Sequence, residues 1–240
     1  MPRSLHNTCI LLIVVACAVT VRATALTTAY TVQATYTGQL AAVSRGVASD
    51  GQGGAFVVGT FGSNVAGSTA TFGGHQLTSS GGTDAFVMHV TSSGSVSWAI
   101  RMGGNNNDEG RAIVADGAGG ALVAGYFQYT ATFGAWSSTL TADSGINVFV
   151  MRIDSSGTIA WVSQSGGTNE EIPEAMTTDG SGGALMVGHF KWAATFGSTT
   201  FTNSNSWDDV FICRITSSGS FTWAVKAGGD CAHVSGSITS

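Results

Sequence analysis

Short apolar runs alternate with clusters of Gly, Ser, Thr and Asp along most of the chain, and that alternation predicts its elements. Runs such as ALVAGYF (121–127) and FVMRI (149–153) are rich in β-prone residues and end too soon for a helix, so they read as strands. The DGxGG, DSSG and TSSG clusters between them supply the positive φ that hairpin turns need.

The runs recur at a fixed spacing. DGQGGAFVVGTF (50–61), DGAGGALVAGYF (116–127) and DGSGGALMVGHF (179–190) align without a gap. So do the segments FVMHVTSSGSVSWAIRMGG, FVMRIDSSGTIAWVSQSGG and FICRITSSGSFTWAVKAGG, which start at Phe86, Phe149 and Phe211. Between the two blocks stand TATFG (69–73), TATFG (130–134) and AATFG (193–197). The unit is about 63 residues long and occurs three times, over 41–104, 105–167 and 168–229. Length varies only in GSNVAGS after Phe61 and between TFG and the next FV, so those stretches are expected to be loops. Each unit is then predicted to hold four strands: one before DGxGG, one after it, the FVMRI strand and the SVSWAI strand. Residues 30–38 align with 96–104, and 234–240 with 110–116, so partial units are expected at both ends.

Four antiparallel strands, a fixed period and a Trp at one shared position of each unit describe the blade of a β-propeller. The run GGTDAFVMHVTSSGSVSWAIRMGG, followed by NDEGRAIVADGAGGALVAGYF, resembles the SBBP-type β-propeller repeats of secreted and cell-surface proteins. The resemblance covers nearly the whole chain beyond residue 25. It implies a propeller and an extracellular setting, and it brings no catalytic residues with it. The expected fold is therefore all-β, with β-propeller-type repeats of four-stranded antiparallel blades. Three complete units with flanking strands make an open arc of roughly half a ring. A fragment of a longer protein, or arcs that assemble into a closed ring, would account for that number.

Repetition also decides what the glycines do. A phosphate-binding loop needs glycines between a strand and a helix, whereas DGxGG leads into a short β-prone run each of the three times it occurs. Glycine abundance, 34 residues of 240, together with only 10% charged residues, fits strands joined by turns. Residues 1–25 read as a signal peptide: Arg3 gives a basic start, 9–21 is apolar and short, and Ala23-Thr24-Ala25 is a cleavage motif. Secretion is the expectation, with an uncleaved anchor as the alternative. Without that peptide, Lys and Arg fall to seven against fourteen acidic residues, a net charge of about −7, which disfavours nucleic-acid and anionic-membrane partners. Cys213 and Cys231 remain beyond residue 25. They would pair in an oxidising compartment, or Cys213 would be a buried thiol, since Met88 and Met151 hold the equivalent position.

Candidate chemistry is sparse. His75, His89, His189 and His233 fall at different places in the unit and form no evident metal set. Asp50, Asp116 and Asp179 share one position that turn formation explains. Trp98, Trp161 and Trp223 also share one position, which reads as a core ring rather than a set for stacking sugars. The least repetitive polar segments are NNNDEG (105–110), TNEEIPE (168–174) and DCAH (230–233). Their oxygen-rich side chains, Asn107, Asp108, Glu109, Glu170, Glu171 and Asp230, are calcium candidates, although they lack DxDxDG spacing. The expected function is a secreted or cell-surface scaffold that binds an extracellular protein or glycan without catalysis. The competing expectation is a glycan-acting propeller enzyme, a hydrolase or lyase, whose site is formed by loops from several blades.

Overall fold

A computed structural model describes residues 34–36, 41–63, 65–203 and 207–228. The signal-peptide reading, Asp230, Cys231 and His233 lie outside the described residues. The chain is all-β, with no helix among those residues.

Three successive sets of four strands pair in chain order. In the first, β2 (Ala41–Ser49), β3 (Ala55–Gly62), β6 (Thr83–Val90) and β7 (Val96–Gly103) are antiparallel neighbours. The second set is β8 (Glu109–Ala115), β9 (Ala121–Phe133), β10 (Leu140–Ile153) and β11 (Ile159–Gln164). The third is β13 (Glu170–Thr178), β14 (Ala184–Lys191), β17 (Asp209–Ile215) and β18 (Phe221–Ala227). Two bridges make the three sets one continuous twelve-stranded sheet that does not close among the described residues. The first joins β7 to β9 through Met102 and Gly103, and the second is a single parallel pair between Ile146 and Glu170.

The stretches expected as loops are partly strand. The TFG segments open a second hairpin, β4 (Thr69–Phe72) with β5 (His75–Thr78), and β15 (Ala193–Phe196) with β16 (Thr199–Thr202). In the middle unit the same hairpin is fused to long strands β9 and β10, with a register break between Thr141 and Ile146. Each inserted hairpin takes a partner from an earlier part of the chain: β1 (Ala34–Tyr36) on β4, the end of β7 on β9, and β12 (Gly166–Gly167) on β15. The variable length that suggested a loop belongs to the links around this hairpin. Its TFG strand is anchored by Phe72, Phe133 and Phe196, all essentially buried.

The core lies between units. Val123, Phe127, Phe149 and Met151 on one face of the second unit meet Phe56, Val58, Ala85 and Val87 of the first. The equivalent face of the third unit, with Met186, Phe190, Phe211 and Cys213, meets Leu122, Ala124, Val148 and Val150 of the second. Both faces of the central strands are therefore apolar, which is why these runs do not alternate in polarity. Each fully buried Phe contributes about 1.5–3 kcal/mol over an exposed one. Gly59, Gly125 and Gly188 interrupt the second strand of each unit for a packing reason. A Cβ at Gly125 would collide with the Glu109 carbonyl and the Phe149 ring, and the other two meet equivalent atoms.

Candidate functional site

The DGxGG turns are built alike. One oxygen of Asp50 accepts from Gln52 N and Gly54 N, that of Asp116 from Ala118 N and Gly120 N, and that of Asp179 from Ser181 N and Gly183 N, all at 2.8–2.9 Å. The other oxygen holds a side chain from the third strand: His89 Nε2, Arg152 Nε or Arg214 Nε, each at 2.9 Å. Gly117 and Gly119 adopt φ of 75° and 89°, conformations that cost glycine little. The turn N–H groups are thus bound to the chain's own carboxylate and do not face an anion. At Asp179, burial opposes ionisation, but the Ser181 and Arg214 hydrogen bonds outweigh it and bring the carboxyl down to about 2.

A second polar cluster sits at the junction of the first two units. Asp84 Oδ2 accepts from Arg101 Nη1 at 2.7 Å and from Ser80 N at 3.0 Å, while its buried Oδ1 has no partner. Asp108, 1% exposed, accepts from Gly104 N at 2.7 Å and Gln128 N at 3.0 Å. Burial, and in lesser part the like charge of Asp84, push the Asp108 carboxyl up to about 7 against those hydrogen bonds. These groups tie one unit to the next.

The arrangement with the most chemical variety lies on the first strand of each unit. β2, β8 and β13 each carry a bulge at one equivalent point, between Ser44 and Gly46, Gly110 and Ala112, and Pro173 and Ala175. The extra residue is charged every time: Arg45, Arg111, Glu174. A bulge leaves one residue out of the ladder and re-aims its side chain. Pro173, which lacks an N–H, is tolerated beside such a break. The three side chains interlock across units. Glu109 Oε2 lies 3.5 Å from Arg45 Nη2 and 3.2 Å from Arg111 Nε, and Arg111 Nη1 lies 3.6 Å from Glu174 Oε2. Glu174 Oε1 in turn is 3.4 Å from His189 Nδ1. Arg111 also stands 5.6 Å over the Tyr126 ring. Burial and then the adjacent Glu109 carboxylate push the Tyr126 phenol up, so it remains a neutral donor. Arg111 Nε lies close to the Glu109 carboxylate and His189 Nδ1 close to that of Glu174, each without an aligned hydrogen bond.

A further ion group lies where Glu170 of β13 faces Lys191 of β14. Lys191 Nζ meets Glu170 Oε2 at 2.8 Å and Asp208 Oδ1 at 3.5 Å. Beside Gln128 and Lys191 stand Tyr129 and Trp192, the two non-glycine residues with positive φ (60° and 65°) among those described. Both are large and exposed, at 57% and 46%. Aromatic side chains in left-handed backbone are costly unless surrounding structure fixes them, and such positions gather at ligand sites.

The calcium candidates do not converge. Asn107 Oδ1 accepts from Thr83 N at 3.1 Å, Asp108 serves the unit junction, Glu109 joins the bulge row, Glu170 pairs with Lys191, and Glu171 is buried. Among the described residues no three His, Cys, Asp or Glu are grouped to hold a metal ion. Cys213 is fully buried in the core, where burial pushes its thiol up. The tryptophans do not form a core ring. Trp98 and Trp161 lie at unit junctions, donating to Ser155 O at 3.0 Å and Ser217 O at 2.9 Å of the following unit. Sequence reasoning missed Arg45, Arg111, Glu174, Tyr126, Tyr129 and Trp192, and gave His189 no role. A signal was present in one charged residue at the same place in each first strand.

No family model matches the chain. No curated protein matches it. Among solved structures it is similar to a protein of unknown function from Bacteroides caccae, at 10% identity, over 78% of this chain and 82% of that one, with a TM-score of 0.25.

Proposed function

We infer that the chain is a secreted or cell-surface β-propeller-type repeat protein that binds an extracellular glycan or protein through the first-strand row and the exposed aromatics Tyr129 and Trp192. The observation that carries this reading is the threefold bulge with Arg45, Arg111 and Glu174 interlocked across units. In a propeller the first strand of each blade lines the central channel, so the row would face it, and Tyr129 and Trp192 would stand near its mouth. Carbohydrates are recognised by this combination of stacking faces and fixed polar groups. The apolar run at 9–21, read as part of a signal peptide, supports the extracellular setting.

A glycan array combined with a glycosidic hydrolysis screen tests the reading. The expected result is retention of at least one glycan class, weakened about tenfold or more in Trp192→Ala. Turnover of a glycosidic substrate would instead favour the enzyme reading, with Glu109 and Glu174 as the carboxylates to examine. Retention unchanged in both Trp192→Ala and Arg111→Ala would remove this site.

A further inference from the structure

The DGxGG turn of the first unit differs from the other two in what its Asp holds. Arg152 faces Asp116 and Arg214 faces Asp179, whereas His89 faces Asp50. The fourth strand carries a second difference. His89 pairs with Trp98 and Val90 with Val96, so the ladder passes over Ser97, and the same break passes over Ala160 and Thr222 in the other units. A residue left out of the ladder is re-aimed, and here the Ser97 side chain meets His89. Arginine has no lone pair to offer, so of the three equivalent positions only His89 sets a base against a hydroxyl.

The three side chains are linked in series. His89 Nε2 lies 2.9 Å from Asp50 Oδ2, and His89 Nδ1 lies 2.7 Å from Ser97 Oγ. Ser97 Oγ also lies 3.3 Å from the His89 carbonyl, the longer of its two contacts with that residue. Burial opposes ionisation of Asp50, but the hydrogen bonds from His89, Gln52 N and Gly54 N outweigh it and hold the carboxyl below its ordinary value. A carboxylate only accepts, so Nε2 carries the ring hydrogen. In the neutral imidazole Nδ1 is then the acceptor, and the Ser97 hydroxyl donates to it. Packing fixes the ring: its centroid is 4.8 Å from that of Phe56 and 5.9 Å from that of Trp98, which is itself tied to Ser155 O. Asp50 and His89 are largely covered, while Ser97 is exposed to a substrate.

We propose that Ser97 is a nucleophile for acyl transfer from carboxylic esters, with His89 as its general base and Asp50 as the residue that positions the ring. Nucleophile, base and orienting group are recognised by geometry and role, not by order in the chain. Ser97 Oγ bonds to the ester carbonyl carbon as its proton passes to His89 Nδ1, and Asp50 stabilises the imidazolium through Nε2. The bond to the alcohol oxygen then breaks, and that oxygen takes the proton from Nδ1. Water repeats the sequence on the acyl-serine, releasing the acid and restoring the Ser97 hydroxyl. The proposal rests on the first unit alone and is independent of the glycan reading.

Labelling of the full chain with a fluorophosphonate, mapped by peptide mass spectrometry and timed beside hydrolysis of p-nitrophenyl acetate, is the test. The expected adduct is on Ser97. Ser97→Ala and His89→Arg should each lower the rates of labelling and hydrolysis at least about a hundredfold. Both copy what the other units hold at those positions, Ala160 and Arg152, so the wild-type circular dichroism and melting curve should persist. The two changes lie on different strands, and either alone decides the matter. Asp50→Asn keeps an acceptor for Gln52 N and Gly54 N but sets N–H groups against Nε2, which moves the ring hydrogen to Nδ1. Labelling should then slow at least about tenfold in a chain that stays folded. Ser93→Ala, in the neighbouring turn, should label as the wild type does. A folded wild-type chain that takes no label, an adduct on another residue, or labelling that survives His89→Arg overturns the proposal.

Discussion

Asp108→Asn offers the sharpest check on the junction electrostatics. In the folded chain this carboxyl titrates at about 7, against about 4 in an unfolded chain. Between those values the folded state holds a proton that the unfolded state has released. The contribution of Asp108 to stability is therefore greatest below pH 4, falls as pH rises toward 7, and is level above it. Three decades of proton affinity at 1.36 kcal/mol each give a loss of about 4 kcal/mol across the window. Solvent screening takes little from this figure because Asp108 is 1% exposed. Asparagine keeps an acceptor for Gln128 N but presents none to Gly104 N, a cost of about 1–3 kcal/mol that does not depend on pH. The slope, not the level, is then diagnostic. Urea unfolding of both proteins at half-unit steps from pH 4 to 8 should show the wild type losing about 4 kcal/mol more than Asp108→Asn. Parallel profiles, within about 1 kcal/mol, would mean that Asp108 is ionised throughout and that its burial is offset by its hydrogen bonds.

Asp179 has the opposite sign. Its carboxyl sits at about 2 in the fold, so its stabilisation is full above pH 4 and is lost as pH falls toward 2, and acid unfolding of Asp179→Asn should lack that component. Asp116→Ala removes two turn hydrogen bonds and the Arg152 contact, and should cost about 2–4 kcal/mol in urea unfolding; a cost below 0.5 kcal/mol would leave the turn geometry without energetic weight. Gly125→Ala should cost several kcal/mol or prevent folding, because the Cβ meets backbone and a ring. Gly117→Ala, where φ is 75° and the space is open, should cost only about 1 kcal/mol.

The parts of the fold legible in sequence were those that repetition made legible. Asp50, Asp116 and Asp179 declared turns because each stands before glycines at one spacing, and turn chemistry is local. The strand count was read short because TATF and AATF are only four residues long, and a segment of that length is stabilised by a partner strand that no local pattern reveals. The tryptophans were placed on the right strand and given the wrong neighbours. Which unit covers Trp98 depends on how sheets pack, and sheet packing is set by residues some 57 positions away. The bulge row was hidden for a related reason. A charge between small residues reads as one outward-facing strand position, and only the register break beside Arg45, Arg111 and Glu174 shows that each leaves the ladder.

Repetition constrains the packing surface and leaves the row free. Phe61, Phe127 and Phe190 hold one buried position, as do Phe86, Phe149 and Phe211, because every unit must fit the next. At the bulge the chain changes sign from Arg45 and Arg111 to Glu174, and opposite the first strand it passes from Thr60 to Tyr126 to His189. An ion pair in a partly exposed row contributes at most about 1 kcal/mol, so stability does not require such variety. Divergence at points where the backbone geometry itself is preserved is what a recognition surface on a repeating frame would show. Variants that swap charge within the row, such as Arg111→Glu with Glu174→Arg, should therefore leave melting temperature nearly unchanged while altering ligand retention. A large loss of stability would assign the row to the frame instead.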